Sequence, residues 1–411
     1  LPCPPDTFGK DAACTKAFVG NAGGKLFRGQ IATADVDAFV ELATGIAARA
    51  GGRTALETTV RALLLSPQFL YLTEGVDRQV ASEGRPAAPM APEEIASYLS
   101  YRLTGAPPST ALVERLRAAH PPRPEALKEI VKTTWTAREL QKTTSELLTD
   151  WLDLPKISRV SKDLSRNPGS DATFMAALES EARGALGQAL VSDQTSLKDL
   201  LVAEQRSTLL DTGDAHTRPG LFALPGVLAA FSSADKTNIP RRGRFLLRSL
   251  FCQPLATPPA DLVTQAPPLP AGASQRQRFT QIEALPACGA CHALVDHLGY
   301  AFESWNEVGR FRTRDEHGNA IDTASTHAIE GHQSLVFKDA RELMAGASSH
   351  PVVEACFAIQ TFRHIARRSE RGDADACLLR DLAASARTSG MRVTDLTLDA
   401  LVRTAVAPRG N

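Results

Sequence analysis

The chain has 411 residues, of which 43% are hydrophobic and 22% are charged, as expected for a folded protein of two or three domains. Its 46 basic and 46 acidic residues cancel, so nothing in the charge favours nucleic acid or an anionic membrane as a partner. The most apolar window, Leu221 to Phe231, is too short to span a bilayer. The chain begins Leu-Pro-Cys without an initiator Met, so we expect a processed product.

In chain order, helical spacing of apolar residues dominates the first 215 positions. We predict an N-terminal helical module over 1–80, with an arm stapled by Cys3 and Cys14, and a central helical module over 81–215. Within the second module, Pro92 opens one helix and Asp171 is the expected N-cap of a long one. Residues 78–90 are predicted to form a polar linker.

From about residue 216 short helices alternate with turns. We predict a helical and loop module over 216–275, a haem-binding segment over 276–335 and a C-terminal helical module over 336–411. Prolines crowd residues 254–270, which must therefore be extended or irregular. Strand patterns are nearly absent. The predicted fold is thus mainly α, a multi-helical body with an irregular Pro-rich connection into a c-type cytochrome-like segment.

The motif that organises this prediction is Cys288-Gly-Ala-Cys291-His292. Two cysteines spaced C-x-x-C and followed by histidine are the attachment pattern of c-type haem. Each thiol adds to one haem vinyl group, and the adjacent imidazole binds the iron. The sequence therefore predicts haem c as cofactor, held by Cys288 and Cys291, with His292 as the metal ligand.

Two other interpretations of the motif stay open. A structural zinc site needs four nitrogen or sulfur ligands in paired spacings, and only the loose pair His327 and His332 could complete one. A thioredoxin-like redox pair would follow a strand in a βαβ pattern, which is not evident around this motif.

The other five cysteines suggest an oxidising compartment. Cys3 and Cys14 bracket a short arm, and Cys356 and Cys377 fall in two predicted helices joined by a polar turn, so each pair is a candidate disulfide. Buried free thiols are the alternative for both pairs. Cys252 lies in an apolar run and is predicted to be a core thiol. We therefore expect a periplasmic or secreted protein.

Residues after the motif suggest further roles at a haem. Asp296 and Glu303 are candidate catalytic residues: either could accept the N–H of His292 or carry protons. Asp296 could equally be a turn residue. Arg310 and Arg312 could pair with the haem propionates, or be ordinary surface charge. Three aromatic residues are predicted to wall the haem: Tyr300, Phe302 and Trp305.

The order of motifs resembles the planctomycete- and myxobacteria-type cytochrome-like proteins, which are assembled from modules of unknown function. The matching segments lie along nearly the whole chain: Leu65-Ser-Pro-Gln-Phe-Leu-Tyr71, Ser97-Tyr-Leu-Ser-Tyr-Arg-Leu103, Arg218-Pro-Gly-Leu-Phe222, Pro240-Arg-Arg-Gly243, the run from Cys288 to Arg312, and Phe362-Arg-His-Ile-Ala-Arg-Arg368. The resemblance implies an extracytoplasmic, mostly helical protein with a c-type haem, and it implies no reaction. The family commonly has Asp-Pro where this chain has Asp296-His297, so this chain has an additional imidazole close to the motif in sequence.

The second axial position on the iron separates an electron carrier from an enzyme. No residue can be assigned to it from the sequence, although several could serve: Met344, Met391, His297, His327, His332 and His364. The scarcity of methionine favours a haem oxidoreductase acting on peroxide, oxygen or a small molecule. The alternatives are an electron-transfer cytochrome docking to a separate redox partner, and a haem-free binding protein.

Overall fold

The computed structural model describes residues 3–28, 31–71, 90–211, 217–255 and 271–407. The mainly α prediction is confirmed, because helices account for most of these residues and sheet for few. Residue 90 is the one described residue of the predicted linker 78–90, and the predicted Pro-rich connection is described only over 254–255. The chain divides into two compact units, residues 1–139 with 401–411, and residues 140–400.

The first unit is helical. Its helices are α1 (Ala12–Leu26), α2 (Thr33–Ala50), α3 (Gly52–Leu65), α4 (Pro67–Leu70), α5 (Pro92–Thr104), α6 (Thr110–Ala119) and α7 (Pro124–Thr134), preceded by a 3-10 turn at Pro5–Thr7. The predicted N-terminal staple is confirmed as a Cys3–Cys14 disulfide, and Phe8 is buried beside it in a small core. Pro92 opens α5 as predicted.

Two helices have residues in both units: α8 (Ala137–Trp151) and α18 (Val393–Val406). The other helices of the second unit are α9 (Ala172–Ala189), α10 (Leu197–Val202), α11 (Pro225–Ala230), α12 (Ile239–Phe251), α13 (Gln275–Glu283), α14 (Pro286–Tyr300), α15 (Ala340–Ala347), α16 (Pro351–Ala366) and α17 (Gly372–Thr388). Leu154–Arg159 and Leu221–Ala223 form 3-10 turns. Asp171 caps α9 as predicted, accepting from the backbone N–H of Phe174.

The strands that the structure describes form two short antiparallel pairs in the second unit. β1 (Glu204–Gln205) pairs with β2 (Arg218–Pro219), and β3 (Ser325–His327) pairs with β4 (Leu335–Phe337). Each pair closes a loop between helices and neither forms a layer of its own.

At the crossing of α12 and α14 the backbones of the two helices meet. A Cβ atom at Gly243 of α12 would lie 1.7 Å from the carbonyl oxygen of Val295, and one at Gly299 of α14 would lie 2.2 Å from that of Ile239. Neither position has room for a side chain. The two helices therefore run antiparallel here with their backbones in direct contact.

The cysteine pairing in this unit differs from the sequence prediction. Cys356 bonds to Cys252, which ends α12, and Cys377 is a free, exposed thiol on α17. The prediction was wrong because it weighed the neighbouring helices α16 and α17, whereas the tertiary fold brings the end of α12 against α16. This disulfide closes a separation of 104 residues, a long loop for which chain-entropy arguments give about 5 kcal/mol of stabilisation.

Substitution of Gly243 tests the crossing. We expect Gly243→Ala to lower the free energy of unfolding by about 3 kcal/mol or more, because the methyl group forces the two backbones apart. Gly184→Ala is the matched control, since nothing lies within 4 Å of a Cβ at that position of α9. The control should be neutral or stabilise by about 0.5–1 kcal/mol. Urea unfolding of both variants measures this, and equal effects would contradict the close crossing.

Candidate functional site

The Cys-x-x-Cys-His motif occupies the first turns of α14, which Pro286 opens at its first position. Cys288 and Cys291 lie one turn apart, are partly exposed, and take no part in a disulfide. Both thiols are therefore present in the form that covalent attachment requires, on neighbouring positions of one helix.

The motif continues the face of α14 that packs on α12. Cys288, His292, Val295 and Gly299 follow the spacing i, i+4, i+7 and i+11, which places them in one stripe. Val295 and Gly299 are buried at the crossing, whereas Cys288 and His292 are partly exposed. Val295 and Gly299 thus anchor the stripe, while Cys288 and His292 stay accessible to a planar ligand such as a haem.

The preceding helix α13 covers another side of the motif. A Cβ at Gly289 would lie 2.4 Å from the carbonyl oxygen of Glu283, so the glycine inside the motif allows the two helices to meet. The Phe279 ring lies 5.9 Å from the His292 ring, with 22° between their planes. These contacts fix the orientation of the imidazole.

His292 and Asp296 form a hydrogen-bonded pair one turn apart on α14. The His292 Nδ1 to Asp296 Oδ2 distance is 2.7 Å, and the carboxylate is fully buried. The hydrogen bond raises the pKa of His292, and burial raises the pKa of the Asp296 carboxyl. Because Nδ1 is committed to Asp296, the imidazole has Nε2 left for a ligand. Within the described part of the chain no hydrogen bond reaches that nitrogen.

His297, which stands where the related pattern has proline, continues the helix instead of starting a turn. Its Nδ1 lies 2.7 Å from Ser325 Oγ and its Nε2 lies 3.3 Å from Glu283 Oε1. The imidazole therefore bridges β3 and α13, and both of its nitrogens already have protein partners.

Glu303 is buried and bound within the protein. Its Oε1 accepts hydrogen bonds from Thr237 at 2.8 Å and from Arg312 at 2.5 Å, and Arg312 also contacts Glu316 at 3.2 Å. Arg310 is exposed, and its backbone N–H donates to Asn306. The roles predicted for Glu303, Arg310 and Arg312 at a haem stay predictions, because the partners described for these residues are other groups of the protein.

The three predicted haem-wall aromatics are all buried. The Tyr300 ring lies under the guanidinium of Arg276 at 4.0 Å, and the Phe302 and Trp305 rings are 6.0 Å apart. Arg242 of α12 binds the backbone of this segment. These aromatics belong to the packing behind α14, and their contact with a haem stays a prediction.

Arg242 is a residue that the sequence reasoning missed. It is 2% exposed, and its guanidinium donates to the carbonyl oxygens of Phe302, Trp305 and Asn306 at 2.6–2.7 Å. Burial lowers its pKa to about 10, so it stays charged at neutral pH. The available signal was the pair Arg241-Arg242 at helical positions, of which only one can face outward.

The candidates for a second axial ligand on the iron lie on several different elements of the second unit. Met344 and Met391 are buried in core positions, and His332 is exposed. His364 is paired with Asp150, whose Oδ2 accepts a hydrogen bond from the His364 Nδ1 at 2.7 Å. His327 is 1% exposed, and neither ring nitrogen has a partner among the residues that the structure describes. No group of three potential metal ligands occurs in the described ranges.

Three family models match separate segments of the chain. They are described as proteins of unknown function: DUF1595 over residues 14–74, DUF1592 over residues 90–211 and DUF1588 over residues 218–315. All three are planctomycete-type, cytochrome c-related modules, and the last contains both α12 and α14. Comparison with curated proteins and with solved structures finds no match. None of the described helices is long and apolar enough to cross a membrane.

The buried His327 predicts a stability loss in acid. Burial, with His297 and His350 nearby, lowers its pKa to about 4 from about 6.5 in an unfolded chain. The unfolded chain therefore binds the proton first, and stability is full above about pH 6.5 and falls toward pH 4. The loss should reach about 3 kcal/mol.

Urea unfolding across this pH range checks the expectation. His327→Leu should flatten the loss, because the imidazole that titrates only when unfolded is gone. His332→Leu, at an exposed position, should leave the wild-type dependence unchanged. An unchanged pH dependence in His327→Leu would contradict the assignment.

Proposed function

We propose that this chain, which carries three planctomycete-type cytochrome-related modules, is an extracytoplasmic c-type haem protein with a redox function. One observation carries the proposal: two free cysteines and a histidine with an unengaged Nε2 occupy adjacent positions of α14, and a buried carboxylate holds Nδ1. The Cys3–Cys14 and Cys252–Cys356 disulfides support the compartment, since c-type haem and disulfides both form under oxidising conditions.

The residues present fit a covalently held haem. Cys288 and Cys291 would add across the two vinyl groups to form thioethers, and His292 Nε2 would bind the iron from the side of α14. When bound, the haem supplies one-electron redox chemistry and a metal centre for peroxide or oxygen. The protein supplies the rigid anchor, because the Gly243–Val295 contact fixes α14 just beyond the motif.

Asp296 is best described as a positioning residue. Its carboxylate fixes the tautomer and ring orientation of His292, and a carboxylate partner makes an imidazole a stronger donor to metal. A more basic ligand stabilises the oxidised state of iron. This effect favours the oxidoreductase, and of the two roles that the sequence suggested for Asp296 it supports acceptance of the His292 N–H over proton transfer.

An electron-transfer cytochrome is the second candidate. The observation that favours it is an exposed row of arginines on α12, the helix that packs directly on α14. The haem-free binding protein is the third possibility, and it requires the three free cysteines of the described chain to stay unmodified.

The state of the cysteines tests the proposal directly. Protein matured in a periplasm is unfolded without reductant, alkylated and weighed intact. Attached haem leaves one thiol to alkylate, Cys377, and adds the mass of haem, whereas a haem-free chain exposes three thiols. A pyridine haemochrome spectrum identifies the thioether linkages. Cys288→Ala/Cys291→Ala is the control and should carry no haem. Three alkylated thiols in the wild type would overturn the proposal.

Asp296→Asn should raise the reduction potential of the haem-loaded protein, because an amide no longer draws the His292 proton. We expect a rise of about 60 mV, a tenfold change in the one-electron equilibrium. Glu330→Gln is the control: it removes an exposed carboxylate in the same segment without touching His292. Redox titration measures both, and equal potentials in Asp296→Asn and wild type would contradict the positioning role.

A further inference from the structure

The face of α12 that points away from the crossing carries a row of exposed arginines. Arg241, Arg244 and Arg248 follow the spacing i, i+3 and i+7, which places them along about 10 Å of one helix side. All three are exposed, whereas Arg242, Gly243 and most of their neighbours on the helix are buried. We call these three residues the α12 arginine row.

The α12 arginine row has no carboxylate partner among the described residues. Arg241 reaches only the carbonyl oxygen of Ser232, at 3.5 Å, and Arg248 lies 5.9 Å from the ring of Phe245. Arg244 makes no ion pair or hydrogen bond within the described ranges. Within the part of the chain that the structure describes, no carboxylate neutralises these positive charges.

Other arginines of the same unit are paired. On α16 and the turn that follows it, Arg363 binds Glu370 at 2.6 Å and Arg368 binds Asp375 at 2.5 Å. On α17, Arg387 binds Glu354 at 2.7 Å. The chain has equal numbers of acidic and basic residues, so unpaired arginines in a row are a local feature and do not follow from its composition.

A fourth cation borders the row. The pKa of Lys156 is lowered by burial and by the charges of Arg241 and Arg248, and the charge of Asp153 opposes this shift. Its ammonium also lies 3.8 Å from the centre of the Phe231 ring. Four positive charges thus share one surface at a cost in mutual repulsion, which an acidic surface would relieve.

We propose that the α12 arginine row, with Lys156, is the docking surface for an acidic redox protein. The inference rests on the proposed haem function, since α12 carries this surface on one side and packs on α14 with the other. Packed helices have axes about 8–10 Å apart, and the Gly243 crossing brings these two closer than usual. A partner on this surface would lie one helix thickness from the Cys-x-x-Cys-His motif.

The surface fits an acidic protein better than a nucleic acid. Nucleic-acid sites are broad basic surfaces on basic proteins, whereas this chain is neutral with a pI of about 7.2. In electrostatically guided encounters, each of the two proteins typically carries a small group of charges complementary to the other. These charges set the association rate more than the final affinity.

The test measures binding of a fluorescently labelled acidic flavodoxin at low and physiological salt. The variant is Arg241→Glu/Arg244→Glu/Arg248→Glu. The control Lys198→Glu/Arg206→Glu/Arg380→Glu makes the same change in net charge at scattered, exposed positions. We expect the row variant to lower the association rate constant at least tenfold at low salt and to reverse the salt dependence. The control should change the rate less than threefold.

A glutamine triple variant at the same positions, with circular dichroism of all variants, separates binding from misfolding. Equal effects of row and control variants would show that net charge alone matters and would overturn the proposal. So would binding of heparin or DNA through the same arginines without binding of flavodoxin. Flavodoxin binding is measured by fluorescence and does not depend on haem absorbance. A haem-free wild type would therefore contradict the proposed function, while the binding measurement would still test the docking surface.

Discussion

The contact on which the unit that carries the Cys-x-x-Cys-His motif depends is the crossing of α12 and α14. At Gly243 and Gly299 the two backbones meet with no side chain between them, so the position of one helix determines that of the other. Packing of this closeness tolerates little displacement, because any Cβ must move backbone rather than a flexible side chain. The Cys-x-x-Cys-His turn extends from this crossing, which makes it a rigid platform.

Buried arginines extend that rigidity to the segment after α14. Arg242 donates to the carbonyl oxygens of Phe302, Trp305 and Asn306. Arg218 pairs with Asp211 and also binds the carbonyl oxygen of Gly309. A buried guanidinium is costly unless its donors are used, and here most of the acceptors are backbone carbonyl groups. The loop after α14 has no regular secondary structure. It is held by Arg242 of α12 and by Arg218, the first residue of the DUF1588 segment.

The sequence predicted the local features well because they have local causes. The mainly α fold, the caps of α5 and α9 and the Cys3–Cys14 staple depend on neighbours in the chain. It failed for Cys252, whose partner lies 104 residues away, and for Arg242, whose acceptors are set by the tertiary fold. The motif identified Cys288 to His292, but only the structure shows that Asp296 faces His292 and that Glu303 faces Arg312.

One helix, α12, joins the elements that the proposed function requires. Its glycine face fixes α14, and its buried Arg242 orders the loop that follows α14. Its C-cap residue, Cys252, is tied to α16 by the Cys252–Cys356 disulfide, and its outer face carries the arginine row. A helix held on three sides cannot shift when a partner binds its fourth side. The backbone of this surface is therefore preorganised, and docking there would cost little backbone conformational entropy. That rigidity suits brief, electrostatically guided encounters, and it places the arginines and the candidate haem site on opposite sides of the same fixed element.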